Sequence, residues 1–101
     1  MPRREQLQAL LNDEPDDVFL NYALAKSFVE EGRVDDALAQ FRRTLELDPD
    51  HVASYFQMAQ VLAAEGNTDE ARSVVSRGID VARKVGDAHA EMEMTGFLDS
   101  L

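Results

Sequence analysis

The sequence contains no cysteine and no tryptophan. Without a thiol there is no disulfide, no thiolate metal site and no cysteine nucleophile, while the compartment stays open. Lysine is scarce too: Lys26 and Lys84 stand beside eight arginines. Long apolar runs are missing, and none nears the roughly 18 residues that a membrane span needs. The opening MPRREQLQALL interrupts its apolar pattern with glutamine and offers no small-residue cleavage site, so it does not read as a secretory signal. A cytoplasmic protein is expected.

Basic charge is also in short supply. Twenty acidic residues face ten basic ones, for a net charge of −10. Such a surface repels phosphate backbones and anionic membranes, so neither nucleic acid nor a membrane is an expected partner. An acid-rich, lysine-poor surface fits a high-salt habitat, and it fits ordinary solubility equally well. What is present suits a single compact domain: 101 residues, 45 % of them apolar and 30 % charged.

The chain repeats itself. Shifted by 34 positions, Pro15 meets Pro49, Ala25 meets Ala59, Gly32 meets Gly66, Ala37 meets Ala71 and Arg43 meets Arg77. Tyr22 falls on Phe56, Leu24 on Met58 and Phe28 on Leu62. Each unit reads as two helices. The first spans about 17–31 and is ended by Gly32, which can take the left-handed turn after a helix. The second runs over 34–47, with Ala37, Phe41, Thr44 and Leu45 inward and Asp35 and Asp36 complementing its dipole. Pro49 stops it, and Asp50 is placed to cap the helix that follows. The second unit predicts helices over 51–65 and 68–83, with NTDE at 67–70 in the form of a capping box. Alanines 25, 37, 59 and 71, with Thr44 and Gly78, sit where paired helices cross, so the pairs are expected to pack closely.

The flanks extend this pattern. The segment REQLQALLNDEP reads as the second helix of an incomplete first unit, with Leu7, Leu10 and Leu11 inward. Asp87 can cap a last helix carrying Ala90, Met94, Phe97, Leu98 and Leu101 on one face. No proline closes the second unit, so its last helix is expected to run past Arg83 to Val85 and break at Gly86.

A 34-residue helix–turn–helix unit with a glycine at mid-unit, an alanine five residues later and a closing proline resembles the tetratricopeptide repeat. NYALAKSFVEEGRVDDALAQFRRTLELDP and YFQMAQVLAAEGNTDEARSVVSRGIDV carry the likeness. Asn21 departs from it where the family often has tryptophan, and Arg83 stands in place of the closing proline. The resemblance implies an all-α fold, an α–α superhelix of about six antiparallel helices. It divides the chain into a partial repeat over 1–17, repeats over 18–51 and 52–85, and a capping helix over 86–101. The ends look finished, as in a small bacterial repeat protein.

Chemistry is poorly supported. His89 and Glu93 offer two metal ligands on one helix face, but a site needs three or four. The pairs Asp16–Asp17 and Asp35–Asp36 imitate catalytic carboxylates, yet capping and dipole effects explain them. No enzyme activity, cofactor or metal is expected. The resemblance instead implies a concave groove lined by the first helices of the repeats, which holds a peptide segment of a partner protein. Carried over by position, its residues are Phe19, Tyr22, Ala23, Lys26 and Val29, then Ala53, Phe56, Gln57, Gln60 and Ala63. The carboxylate clamp of chaperone-binding members is not expected, because only Lys26 is basic among these positions. Alternatively, an apolar last helix with Met92, Met94, Phe97, Leu98 and Leu101 joins copies of the chain into a homo-oligomer.

Overall fold

A computed structural model describes residues 3–101. Six helices follow one another: α1 (Arg3–Asp13), α2 (Val18–Glu30), α3 (Val34–Leu47), α4 (Val52–Ala64), α5 (Thr68–Val85) and α6 (Ala88–Ser100). No strand occurs among the described residues. The helices fall into two compact units that divide between Pro49 and Asp50. In the first, α2 packs on α1 and α3; in the second, α5 packs on α4 and α6. Among the described residues no helix is long and apolar enough to cross a membrane.

The tight turns have one chemical design. After α2, the Arg33 amide donates to the Phe28 carbonyl and the Gly32 amide to that of Val29, at 2.9 and 3.0 Å. This pair of bonds satisfies carbonyls that the helix end would orphan, and it requires the left-handed backbone that Gly32 adopts at φ 72°. The same two bonds recur at Gly66 and Gly86. The third copy confirms the extension of α5 to Val85, with Gly86 in the left-handed region.

Capping differs from expectation. Asp17 caps α2, its carboxylate accepting from the Leu20 amide at 2.8 Å, and Asp87 does the same for Ala90 at 3.0 Å. Asp50, however, does not cap α4; His51 holds that position without a side-chain cap bond. Asp50 is held instead by Lys84 at 3.0 Å. Asp16, 34 residues earlier, is held likewise by Arg43 at 2.7 Å. Both aspartates thus tie the turn before a first helix to the second helix of the same unit. NTDE forms no capping box, since the Asn67 side chain makes no cap bond.

Small residues mark the crossings. Ala25 and Ala37 are fully buried where α2 meets α3, and Ala59 and Ala71 where α4 meets α5. Leu24, Phe28, Met58 and Leu62 fill the flanks. Ala37→Leu or Ala71→Leu is expected to cost more than about 1 kcal/mol, because close-packed helices have nowhere to put the added carbons. A thermal melt of either variant that matches wild type would contradict this packing. At the N-terminal end Leu7 is buried as expected, but Leu10 is 52 % exposed and so lies off the packing face of α1.

The two units solve one position differently. Asn21 is buried and fully engaged: its amide donates to the carbonyls of Pro15 and Asp17, and its oxygen accepts from Gln40. This ties the turn before α2 to α3. Its counterpart in the second unit is Tyr55, whose bulk is accommodated by Gly78 on α5.

Candidate surface on the first helices

On α2 the expected groove residues separate by depth. Phe19 is 71 % exposed and Val29 37 %, so both present apolar surface to solvent. Lys26 is exposed and lies over the Tyr22 ring, its ammonium 5.6 Å from the ring centroid. Tyr22 is half-buried, with its ring 6.1 Å from that of Phe41. Ala23 is buried at 3 % and forms the floor beneath this face. The exposed residues 19, 26 and 29, with Tyr22 between them, make one stripe along the helix.

On α4, Ala53 and Gln60 are exposed, while Phe56, Gln57 and Ala63 are half-buried. Phe56 meets Phe97 of α6 edge-on, with ring centroids 5.6 Å apart. Edge-to-face contact suits the ring quadrupoles, so this pair helps to fix α6 against α4.

The residues proposed for self-association are also divided. Met94 is fully buried and belongs to the core of the second unit, so it offers nothing to another copy. Phe97, Leu98 and Leu101 are half-buried, and Met92 alone of the five is exposed, at 68 %. Arg83 anchors the start of α6 through Glu91 at 2.7 Å. That hydrogen-bonded carboxylate raises the Arg83 pKa above its ordinary value. His89 contacts Glu93 at 2.9 Å, and among the described residues no three potential metal ligands cluster.

The expected break at Gly86 and cap at Asp87 set the register of α6. The cap preceding each first-type helix moves from Asp17 to His51, 34 positions on, and then to Asp87, 36 positions on. With that offset Met94 corresponds to the buried Met58, and Met92 to Phe56 of the expected groove. The signal was the missing proline together with the late glycine at position 86.

Helical hairpins of this length, joined by glycine turns and crossing on alanines, define a helical repeat protein. A tetratricopeptide repeat family model matches residues 28–92. The chain belongs to the tetratricopeptide repeat family. It is similar to a tetratricopeptide repeat domain protein from Salinibacter ruber, with 31 % identity over 83 % of this chain and 93 % of that one, at a TM-score of 0.76. A protein from Bordetella parapertussis is 27 % identical over 99 % of this chain and 87 % of that one, at a TM-score of 0.87. The fold is shared with the type III secretion translocator chaperone SycD of Yersinia enterocolitica, with 18 % identity over 97 % of this chain and 74 % of that one, at a TM-score of 0.88. No curated protein matches the sequence.

Proposed function

We propose that the protein is a non-enzymatic adaptor that takes a peptide segment of a partner protein against the outward faces of its first helices. The carrying observation is Phe19, an aromatic side chain left 71 % exposed beside Val29 and the Tyr22–Lys26 pair. A solvated phenylalanine adds nothing to the core, whereas an aromatic anchor often supplies much of a binding energy. Two proteins that share the fold support the reading in kind: one is a translocator chaperone, and another is described as having an unusual peptide-binding site.

The expected result is that Phe19→Ala/Val29→Ala folds like wild type but loses about tenfold or more in affinity for captured partners. An unchanged set of captured proteins would sink the reading. Tyr22→Ala and Phe56→Ala are poorer probes, because each ring also packs on its own chain. Exposure of Met92 favours a second reading, a homo-oligomer formed through α6. Sedimentation decides between them: a monomer agrees with the adaptor, and a dimer dispersed by Met92→Ser agrees with self-association.

A further inference from the structure

Gly96 lies in the interior of α6, and a side chain placed on it would meet nothing within 4 Å. A glycine inside a helix is destabilising relative to alanine, so such a residue normally answers to a close contact. Gly78 does so, since it lets α5 approach Tyr55 and Met94. Nothing among the described residues accounts for Gly96. A backbone arriving from outside would.

The surroundings of Gly96 indicate what arrives. The offset of 36 residues between α4 and α6 sets His89, Met92, Glu93 and Gly96 in the positions of Ala53, Phe56, Gln57 and Gln60. Both sets follow the i, i+3, i+4, i+7 spacing of one helix face. The faces belong to the same unit, and Phe97, one helical turn after Glu93, meets Phe56. Charge is segregated between the helices of this unit. All its lysines and arginines, Arg72, Arg77, Arg83 and Lys84, lie on α5. Helices α4 and α6 have none, and α6 adds Glu91, Glu93 and Asp99. Arg83 holds Glu91, whereas Glu93 meets the imidazole of His89 on its own exposed helix face. An anionic segment would find no lysine or arginine on this face, and a cationic one finds a carboxylate beside an apolar floor.

We infer that the second unit binds a basic, apolar peptide segment across α4 and α6. Its backbone passes over Gly96, its apolar side chains rest on Met92 and Phe56, and its lysine or arginine pairs with Glu93. This rests on the adaptor reading and names the class of partner.

The test selects binders to the full chain from a random-peptide phage library. The preferred peptides are then synthesised and titrated by fluorescence anisotropy against wild type, Gly96→Ala, Glu93→Gln and Asp80→Asn. Asp80 lies on α5 and controls for net charge. Selected peptides should carry lysine or arginine beside apolar residues. Gly96→Ala should melt higher than wild type yet bind about tenfold more weakly. Glu93→Gln should lose about fivefold, and Asp80→Asn should bind like wild type. Acidic or neutral peptides, an unaffected Gly96→Ala variant, or equal losses for Glu93→Gln and Asp80→Asn would overturn the inference. Peptides that ignore Gly96 and Glu93 but lose binding with Phe19→Ala overturn it while leaving the adaptor reading intact. A library that yields no binder removes both.

Discussion

Gly78→Ala is expected to lower the melting temperature, against the ordinary direction of a glycine-to-alanine change inside a helix. In an open helical site that change gains about 1 kcal/mol from backbone entropy. At position 78 the new methyl carbon would lie 2.7 Å from Cβ of Tyr55 and 2.8 Å from the sulfur of Met94. The Tyr55 atom is bonded directly to the α4 backbone and cannot swing aside. The Met94 thioether is flexible, but it is fully buried and has little space to enter. Relief therefore needs α4 and α5 to separate, which loosens the Ala59 and Ala71 contacts along the same pair. Overpacking of this kind costs about 1–3 kcal/mol. In a domain of this size each kcal/mol moves the midpoint by about 4–8 °C. Gly78→Leu should be worse still. In a Tyr55→Gly background the penalty of Gly78→Ala should shrink, because that change removes the Cβ that the new methyl meets and the two changes share one contact. A midpoint at or above that of wild type would show that the helices are not held this closely.

The contrast with Gly96 gives the two glycines separate meanings. Both lie inside helices, where glycine is costly, but only Gly78 has a partner atom within reach of a Cβ. Replacing one should destabilise the fold, and replacing the other should stabilise it. That opposition is measurable in the same melting experiment.

Much of this architecture was legible because its signals are local. Gly32 and Gly66 mark helix ends by backbone chemistry, Pro15 and Pro49 mark stops, and the alanines mark crossings. Helix ends consequently fall within a residue or two of expectation, and even the overrun of α5 followed from the missing proline. What was not legible depends on competition between partners. Asp50 has the composition of a cap, but Lys84 at 3.0 Å takes its carboxylate. Asn67 has the form of a capping box, but its backbone amide is committed to the Leu62 carbonyl at 2.9 Å in the tight glycine turn, and its side chain makes no cap bond. Leu10 matches the apolar period of α1 and still faces solvent.

The candidate surface was legible by position and not by depth. A family pattern identifies the helix face, but only packing says that Ala23 is floor, that Phe56 leans on Phe97, and that Phe19 stands free. The last helix was legible from Gly86 and Asp87, which together place Met94 inward. Counting on by 34 places Met92 and Gly96 out of register, and two extra residues restore it. Through that shift Met94 enters the core while Met92 moves to the exposed face.

Phe41→Ala should be the most damaging single truncation in the first unit. Phe41 is fully buried on α3, with its ring 6.1 Å from that of Tyr22 on α2. The corresponding position of the second unit is Val75, also fully buried. There Phe56, the counterpart of Tyr22, finds its aromatic neighbour on α6 instead, in Phe97 at 5.6 Å. The first unit thus relies on one ring between α2 and α3 where the second divides the work among three helices. Removing a buried ring costs about 3–5 kcal/mol, because the neighbours collapse only partly into the cavity. Val75→Ala removes two carbons at about 0.8 kcal/mol each, with a smaller cavity. Domains of this kind have about 5–15 kcal/mol to lose, so Phe41→Ala takes a large fraction. Urea denaturation with an unchanged slope measures the difference. Because repeat units are stabilised mainly by their nearest neighbours, amide exchange should accelerate first in α2 and α3. Phe41→Leu, which keeps most of the volume, should recover much of the loss. If Phe41→Ala costs no more than Val75→Ala, the ring does not hold the first unit together, and its stability must come from the Asn21 bonds and the alanine crossing instead.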